Sequence, residues 1–321
     1  MAAKKKILVI GGSGFIGRTL VPYLSARDCD VAVLNRGNRK PENAHQLIAD
    51  RNVEAQMAAA AAQAGDFDAV VDTSAYTVMQ AEIAWRYFSP KAAKWIHISS
   101  GAVYANYQSK IPHKETDPIG GAEIWGAYGS DKSAIDTFLH GRQGPAQTII
   151  LRPPYIYGPG NDIDRETFVW SRAEAGLPVI IPAKDDTPMQ FIHVADLADS
   201  IYTCIEGASG ANAIYNVAGD EIVTIRDWVA MLMDICSGKK DAKIIRNTLG
   251  GYAIRQYFPF RDSAVFVDAS LIKRELHWQA KYKIREGFEQ TYATHTAEDL
   301  AKYLKNMTDA EKEIAAKLTH Q

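Results

Sequence analysis

Tyr128 and Lys132, four residues apart in YGSDK, are the side chains of this 321-residue chain best suited to move a proton. On a helix, positions i and i+4 share a face. An ammonium beside a phenol stabilises the phenolate and draws the tyrosine pKa down from about 10 toward working pH. Such a tyrosine can exchange a proton with a carbinol or carbonyl oxygen. As a bare pattern the pair is common on surfaces. It gains weight from WIHISSGAVY upstream, where Ser99 and Ser100 end an apolar, strand-like run. Open α/β sheets bind ligands at that end of a strand, and a hydroxyl there can donate to the same oxygen. The plain alternative is a serine that only bonds its own turn.

Proton transfer of this kind normally accompanies hydride transfer, so a dinucleotide site is the next thing to seek. GGSGFIG supplies it: Gly11, Gly14 and Gly17 follow the apolar run KILVI and open a helical pattern. The first glycine permits a tight turn, the second lets backbone approach a pyrophosphate, and the third lets helix pack on strand. The helix N-terminus then offers N–H groups and positive potential to phosphate. An NAD site usually carries an acid at the end of the second strand, to hold the ribose 2′-hydroxyl. Here Asn35 and Arg36 stand there. A guanidinium can hold a 2′-phosphate with paired hydrogen bonds, so NADP is expected over NAD. The alternative for Arg36 is a solvated loop charge. Asp50, after the third strand, could accept from an adenine amino group or simply cap a surface turn.

Six strand signals position these residues: KILVI, Asp30 to Asn35, His45 to Asp50, a run ending near Asp72, Trp95 to Ser100 and Thr148 to Pro153. Helical patterns alternate with them, including Phe15 to Arg27 and Ala55 to Ala64. That alternation predicts an α/β fold of the Rossmann type, a doubly wound parallel sheet. Residues 1–153 read as the dinucleotide-binding domain. Residues 154–321, turn-rich from YIYGPGND onward, read mainly as a smaller C-terminal substrate lobe over the strand ends, with segments returning to the main domain. Thr308 to Leu318 reads as a polar, capped helix, a loose terminal appendage.

Hydrophobic residues are 47% and charged residues 23% of the chain, an ordinary globular balance. A net charge of −2 gives no basic footprint, so no nucleic-acid partner is expected. Cys29, Cys204 and Cys236 show no CxxC spacing, so neither a disulfide framework nor a metal site follows. The apolar run after MAAKKK stops at Gly11, which is too short for a signal peptide or a membrane span. A cytoplasmic protein without a membrane partner is expected.

Taken together, GGSGFIG, SSGAVY, YGSDK, LRPPYIYGPG, FIHVADLA, YNVAG and LIKRELHW resemble the extended short-chain dehydrogenase/reductase family, in its epimerase/dehydratase branch. The resemblance covers roughly Lys4 to His295. It implies Ser100, four residues before Tyr104, as catalytic serine, Tyr128 as acid/base and Lys132 as its partner. It implies a cofactor held by Gly11, Ser13, Gly14, Phe15, Ile16, Gly17, Asn35, Arg36, Asp50 and Ser74, with Tyr128 and Lys132 at the nicotinamide end. Tyr76, Tyr104, Tyr155 and Arg165, with Trp170, flank strand ends and are the expected substrate residues. A homodimer is the family habit. His97 reads as a packed core histidine directed away from the Ser100 neighbourhood.

The chain departs from that pattern in several places. Sugar-nucleotide members carry an asparagine where RPPY places Tyr155, and a basic residue where this chain has Met189 and Gln190. Their later pyrophosphate-binding arginine is offset here to Arg261 in FPFRD. Ser100 is followed by Gly101 and Ala102 rather than the Thr-Asp-Glu of 4,6-dehydratases, so that reaction is not expected. The short stretch after DTSAY, with FPFRD, resembles an atypical subgroup that includes the chloroplast stem-loop RNA-binding proteins. Two classes of function follow: an oxidoreductase or epimerase acting on a hydroxyl or keto carbon of a sugar-like small molecule, and a dinucleotide-binding fold turned to RNA binding or assembly.

Overall fold

The computed structural model describes residues 3–105, 111–207, 212–236, 242–261 and 263–318. Six strands of the central sheet are β1 (Lys6–Ile10), β2 (Asp30–Asn35), β3 (His45–Ile48), β4 (Phe67–Asp72), β5 (Ala92–Ile98) and β6 (Gln147–Arg152). A seventh, Ala213–Asn216, pairs in parallel with β6 and was not among the six read from the sequence. Across the sheet the order is β3, β2, β1, β4, β5, β6 and then this seventh strand. Chain order reverses direction between β1 and β4, which makes the gap above their carboxyl ends the topological switch point.

Alternation within β1 explains why the sheet is covered on both faces. Ile7 and Val9 join Val31, Val33, Val71 and Ile96 in one apolar cluster, closed by Leu20 and Leu24 of α1 (Phe15–Ser25) and by Leu197 and Ile201 of the helix Val194–Gly207. Leu8 and Ile10 face the other way, with Leu34, Val70 and Trp95. Over them pack Met57 of α2 (Glu54–Gln63), Ala84 and Phe88 of α3 (Val78–Phe88) and Ile135 and Leu139 of α4 (Gly126–His140). Parallel strands buried on both faces read as unbroken apolar runs for this reason.

The chain divides into two compact units. The first comprises Met1–Ile156, Ile192–Gly219 and Phe266–Lys281, and contains the central sheet. The second comprises Tyr157–Phe191, Asp220–Val265 and Tyr282–Gln321. Its core is aromatic: Trp228 meets Phe260 edge-on at 5.0 Å, and Tyr157 lies 4.2 Å from Phe288. Trp170, expected at a pocket, is instead fully buried in this unit and packs edge-on against Tyr292 at 5.2 Å.

The C-terminal helix Asp309–Leu318 is not a loose appendage. Glu311, 1% exposed, accepts two hydrogen bonds from the Arg172 guanidinium at 2.8 and 2.9 Å. Ile314 is buried beside it, and Thr308 caps the helix by accepting from the Glu311 N–H. The polar texture of the sequence hid a charge that is paired internally. Among the described residues no helix is long and apolar enough to cross a membrane, and no cluster of three or more His, Cys, Asp or Glu could hold a metal.

Candidate functional site

At the carboxyl end of β1 the chain must turn sharply into α1. Gly11 does so at φ +87°, and a Cβ there would lie 2.6 Å from the hydroxyls of Thr73 and Ser74. Gly17 sits against backbone, its Cβ position 2.4 Å from the Gly12 carbonyl carbon. Gly14 differs: a Cβ would meet only the Gly11 oxygen at 3.4 Å, so nothing within the protein crowds it. α1 then starts with Gly14 as N-cap, without a side-chain cap and without an acid in its first turn. A helix start of that kind suits an anion against the Phe15, Ile16 and Gly17 N–H groups. The turn therefore fits the pyrophosphate of a dinucleotide.

Asn35 ends β2 and is tied to that turn. Its amide donates to the Ser13 hydroxyl (2.7 Å) and the Arg39 carbonyl (3.0 Å), and its oxygen accepts from the Gly37 N–H and the Gln46 amide, both at 2.8 Å. Aspartate could not make the two donations. The missing acid is thus explained by a local network. Arg36, next in the chain, is exposed. Asp50 caps its own turn, accepting from the Asn52 backbone and side chain at 2.9 and 2.8 Å. Those bonds hold its carboxyl below the usual range, and Arg36 adds to the effect.

Ser100 follows β5 and caps the short turn Gly101–Val103, its Oγ accepting from the Ala102 N–H at 3.1 Å. Having accepted there, the hydroxyl keeps its own proton to donate. Tyr128 and Lys132 lie one turn apart on α4 but in different surroundings. Tyr128 is 44% exposed, whereas Lys132 is 4% exposed. The Lys132 amine donates to the Ile98 carbonyl at 3.0 Å and lies 5.3 Å from the centre of the exposed Tyr76 ring. Burial pushes the amine down to about 8, against the opposing pull of Asp72 and Asp136.

Glycines bring α4 onto the serine turn. The N–H groups of Gly120 and Gly121 both donate to the Val103 carbonyl at 2.9 Å. Gly121, at φ +73°, lies so close to α4 that a Cβ would stand 2.3 Å from the Gly129 carbonyl carbon. On Gly129 a Cβ would stand 2.7 Å from Trp125 Cβ and 3.0 Å from the Ala102 oxygen. Gly129→Ala is expected to destabilise the chain by about 1–3 kcal/mol through this crowding. Urea unfolding reads it, and an unchanged midpoint would show that α4 has room to spare.

Among the expected substrate residues, Tyr104 is not at a surface. It is 1% exposed, donates to Asn216 Oδ1 at 2.6 Å and stacks on His113 at 4.6 Å. Asn216 also donates to the His113 carbonyl, so Tyr104 is part of an internal polar hub. Tyr155 is buried in the first unit, and Arg165 stacks over Phe260 at 5.5 Å in the second.

Sequence reasoning missed Arg51. Its guanidinium binds both oxygens of the buried Asp72 at 2.8 Å and the Ser74 hydroxyl at 2.7 Å. Arg51 holds the Asp72 carboxyl down at about 2, overcoming a burial effect that acts the other way. His97 is a buried histidine, as expected. Paired with Asp72 across β4 and β5, it lies within electrostatic reach of both Asp72 and Lys132. Burial pushes its imidazole down to about 3, so it is neutral.

Comparison with known proteins identifies the family and the fold. The chloroplast stem-loop binding protein of 41 kDa b from Arabidopsis thaliana is 25% identical over 308 residues, covering 91% of this chain and 79% of its own. The dTDP-4-dehydro-6-deoxy-D-allose reductase of Streptomyces bikiniensis is 25% identical over 274 residues, covering 73% of this chain and 82% of its own. The structure of UDP-glucose 4-epimerase from Thermotoga maritima shares the fold with a TM-score of 0.75, at 19% identity over 90% of this chain and 98% of that one. Residues 7–218, which hold the glycine turn, the serine turn and α4, match a single family description, and the chain belongs to the NAD dependent epimerase/dehydratase family.

Proposed function

We propose that the chain is an NAD(P)-dependent oxidoreductase or epimerase acting on a hydroxyl or keto carbon of a sugar-like small molecule, with Tyr128 as acid/base. The observation that carries this reading is the half-exposed Tyr128 phenol on the same helix as a buried Lys132 amine, beside the Ser100 turn. The bound cofactor supplies or accepts the hydride. Ser100 donates its free proton to the substrate oxygen and orients it. Tyr128 gives a proton to that oxygen on reduction, or takes one on oxidation. Lys132, while charged, favours the Tyr128 phenolate. The names of the reductase and epimerase relatives support a nucleotide-linked sugar. Tyr155, Met189 and Gln190 stand where such enzymes carry other groups, which favours a substrate with a smaller or differently charged handle.

NADP is the proposed cofactor form. Arg36 is exposed beside the glycine turn, and Asn35 brings no negative charge to repel a 2′-phosphate. Titration with NADPH and NADH is expected to show tighter NADPH binding, with Arg36→Ala losing roughly 1–2 kcal/mol, about one charge-assisted hydrogen bond, for NADPH only. Tighter NADPH binding that survives the substitution would remove Arg36 from this role. Failure to bind either dinucleotide would sink the functional reading as a whole.

A second reading has one observation in its favour, the similarity to a stem-loop binding protein over 91% of the chain. The net charge of −2 opposes it, since sequence-independent RNA affinity comes mainly from neutralised phosphates. A mobility shift that weakens steeply with salt would support it.

A further inference from the structure

An ammonium taken out of water needs a compensating negative charge. Lys132 is almost fully buried, and the atom it donates to, the Ile98 carbonyl oxygen at 3.0 Å, is neutral. Two carboxylates are near enough to act on it. Asp136, one turn further along α4, is engaged by Arg152 at 2.8 Å, and burial pushes its carboxyl up. Asp72 at the end of β4 is better provided for. It accepts from both terminal nitrogens of Arg51 at 2.8 Å and from the Ser74 N–H at 3.1 Å. Asp72 therefore keeps its charge in the interior. It stands in register with His97, the residue before Ile98, whose carbonyl holds the lysine.

We propose that the Arg51–Asp72 ion pair is a positioning unit for Lys132, with Arg51 keeping Asp72 ionised and Asp72 keeping the lysine charged. Among the described residues, the charged and titratable groups around Lys132 come from four elements. Tyr128 and Asp136 lie on its own helix, Asp72 on β4, His97 on β5 and Arg51 on the turn after β3, with the Tyr76 ring beside the amine. His97 is neutral and adds no charge. Arg51 opposes the charged lysine directly, yet sustains the Asp72 carboxylate that favours it. Its bond to the Ser74 hydroxyl ties the same pair to the glycine turn, since Ser74 is what a Cβ on Gly11 would strike. The proposal rests on the reading of Lys132 as partner of Tyr128 for its functional meaning, but not for its test.

The test is a titration of the Lys132 ¹³Cε resonance in the cofactor-free, full-length protein, assigned by its loss in Lys132→Arg. In the unaltered protein the midpoint is expected at about 8. Asp72→Asn is expected to lower it by about one pH unit, a tenfold loss of proton affinity. Because that variant leaves Arg51 unpaired, Asp72→Asn/Arg51→Met provides a second reading without a stranded charge, with a smaller fall in the same direction. Loss of Tyr128 catalysis is read separately, by kinetics, so the two ideas fail by different measurements. A Lys132 midpoint unchanged in either folded variant overturns the proposal.

Discussion

Replacing Tyr128 by phenylalanine is expected to reduce turnover by on the order of 10²–10⁴-fold, the usual weight of a general acid–base group. Dinucleotide affinity should change little, because the residues proposed to hold the phosphates are those of the Gly11 to Gly17 turn and not of α4. The half-exposed phenol makes the substitution mild for the fold, so an inactive variant should melt close to the unaltered protein. Lys132→Ala is expected to behave differently. Its side chain is buried and bound to the Ile98 carbonyl, so its loss should harm cofactor binding, turnover and stability together. Steady-state kinetics with both variants, beside cofactor titration, separates the roles. An unchanged rate in Tyr128→Phe, with chemistry shown to limit turnover, would remove Tyr128 as the acid/base.

The second large effect lies in the other unit, at the Arg172–Glu311 pair. Glu311→Leu should destabilise the chain by about 3–5 kcal/mol, because it leaves a buried guanidinium without its carboxylate. The pair is nearly solvent-free, with side-chain exposures of 1% and 2%, so solvent screening does little to soften the loss. Arg172→Leu/Glu311→Leu should recover much of that, since two apolar side chains in place of a buried pair are often neutral. Urea unfolding of the two single variants and the double gives the coupling. Single substitutions costing less than about 1 kcal/mol, the range of exposed pairs, would show that the C-terminal helix is held by other contacts.

How far the sequence revealed this molecule depended on how local each signal was. β1 and β2 were legible because buried parallel strands are written as short apolar runs, and Lys6–Ile10 and Asp30–Asn35 carry them. The strand Ala213–Asn216 was missed because four residues, two of them only partly buried, leave little pattern. The glycine turn was legible because backbone geometry dictates its residues. At Asn35 the sequence showed only that an acid was missing. The reason, donations to Ser13 and Arg39, needs the loop in place. Arg51 gave no signal, since its partner Asp72 is 21 residues away on another strand. Glu311 misled for the same cause: its partner lies 139 residues upstream, so a buried charge read as a solvated one. Tyr104 resembled a pocket residue by its place after a strand, while its bond to Asn216 spans 112 residues.

The central claim, an NAD(P)-dependent enzyme working through Tyr128, is tested most directly by cofactor turnover. The purified chain is supplied with NADPH, NADP, NADH or NAD and a panel of keto and hydroxy sugars, each with and without a linked nucleotide. Cofactor absorbance follows net redox, and isomer analysis of the products follows epimerisation, in which the cofactor is regenerated. The account predicts conversion of at least one member of the panel, abolished or nearly so in Tyr128→Phe. No conversion of any member, together with a salt-dependent shift of RNA at physiological ionic strength, would contradict it and leave the RNA-binding reading in its place.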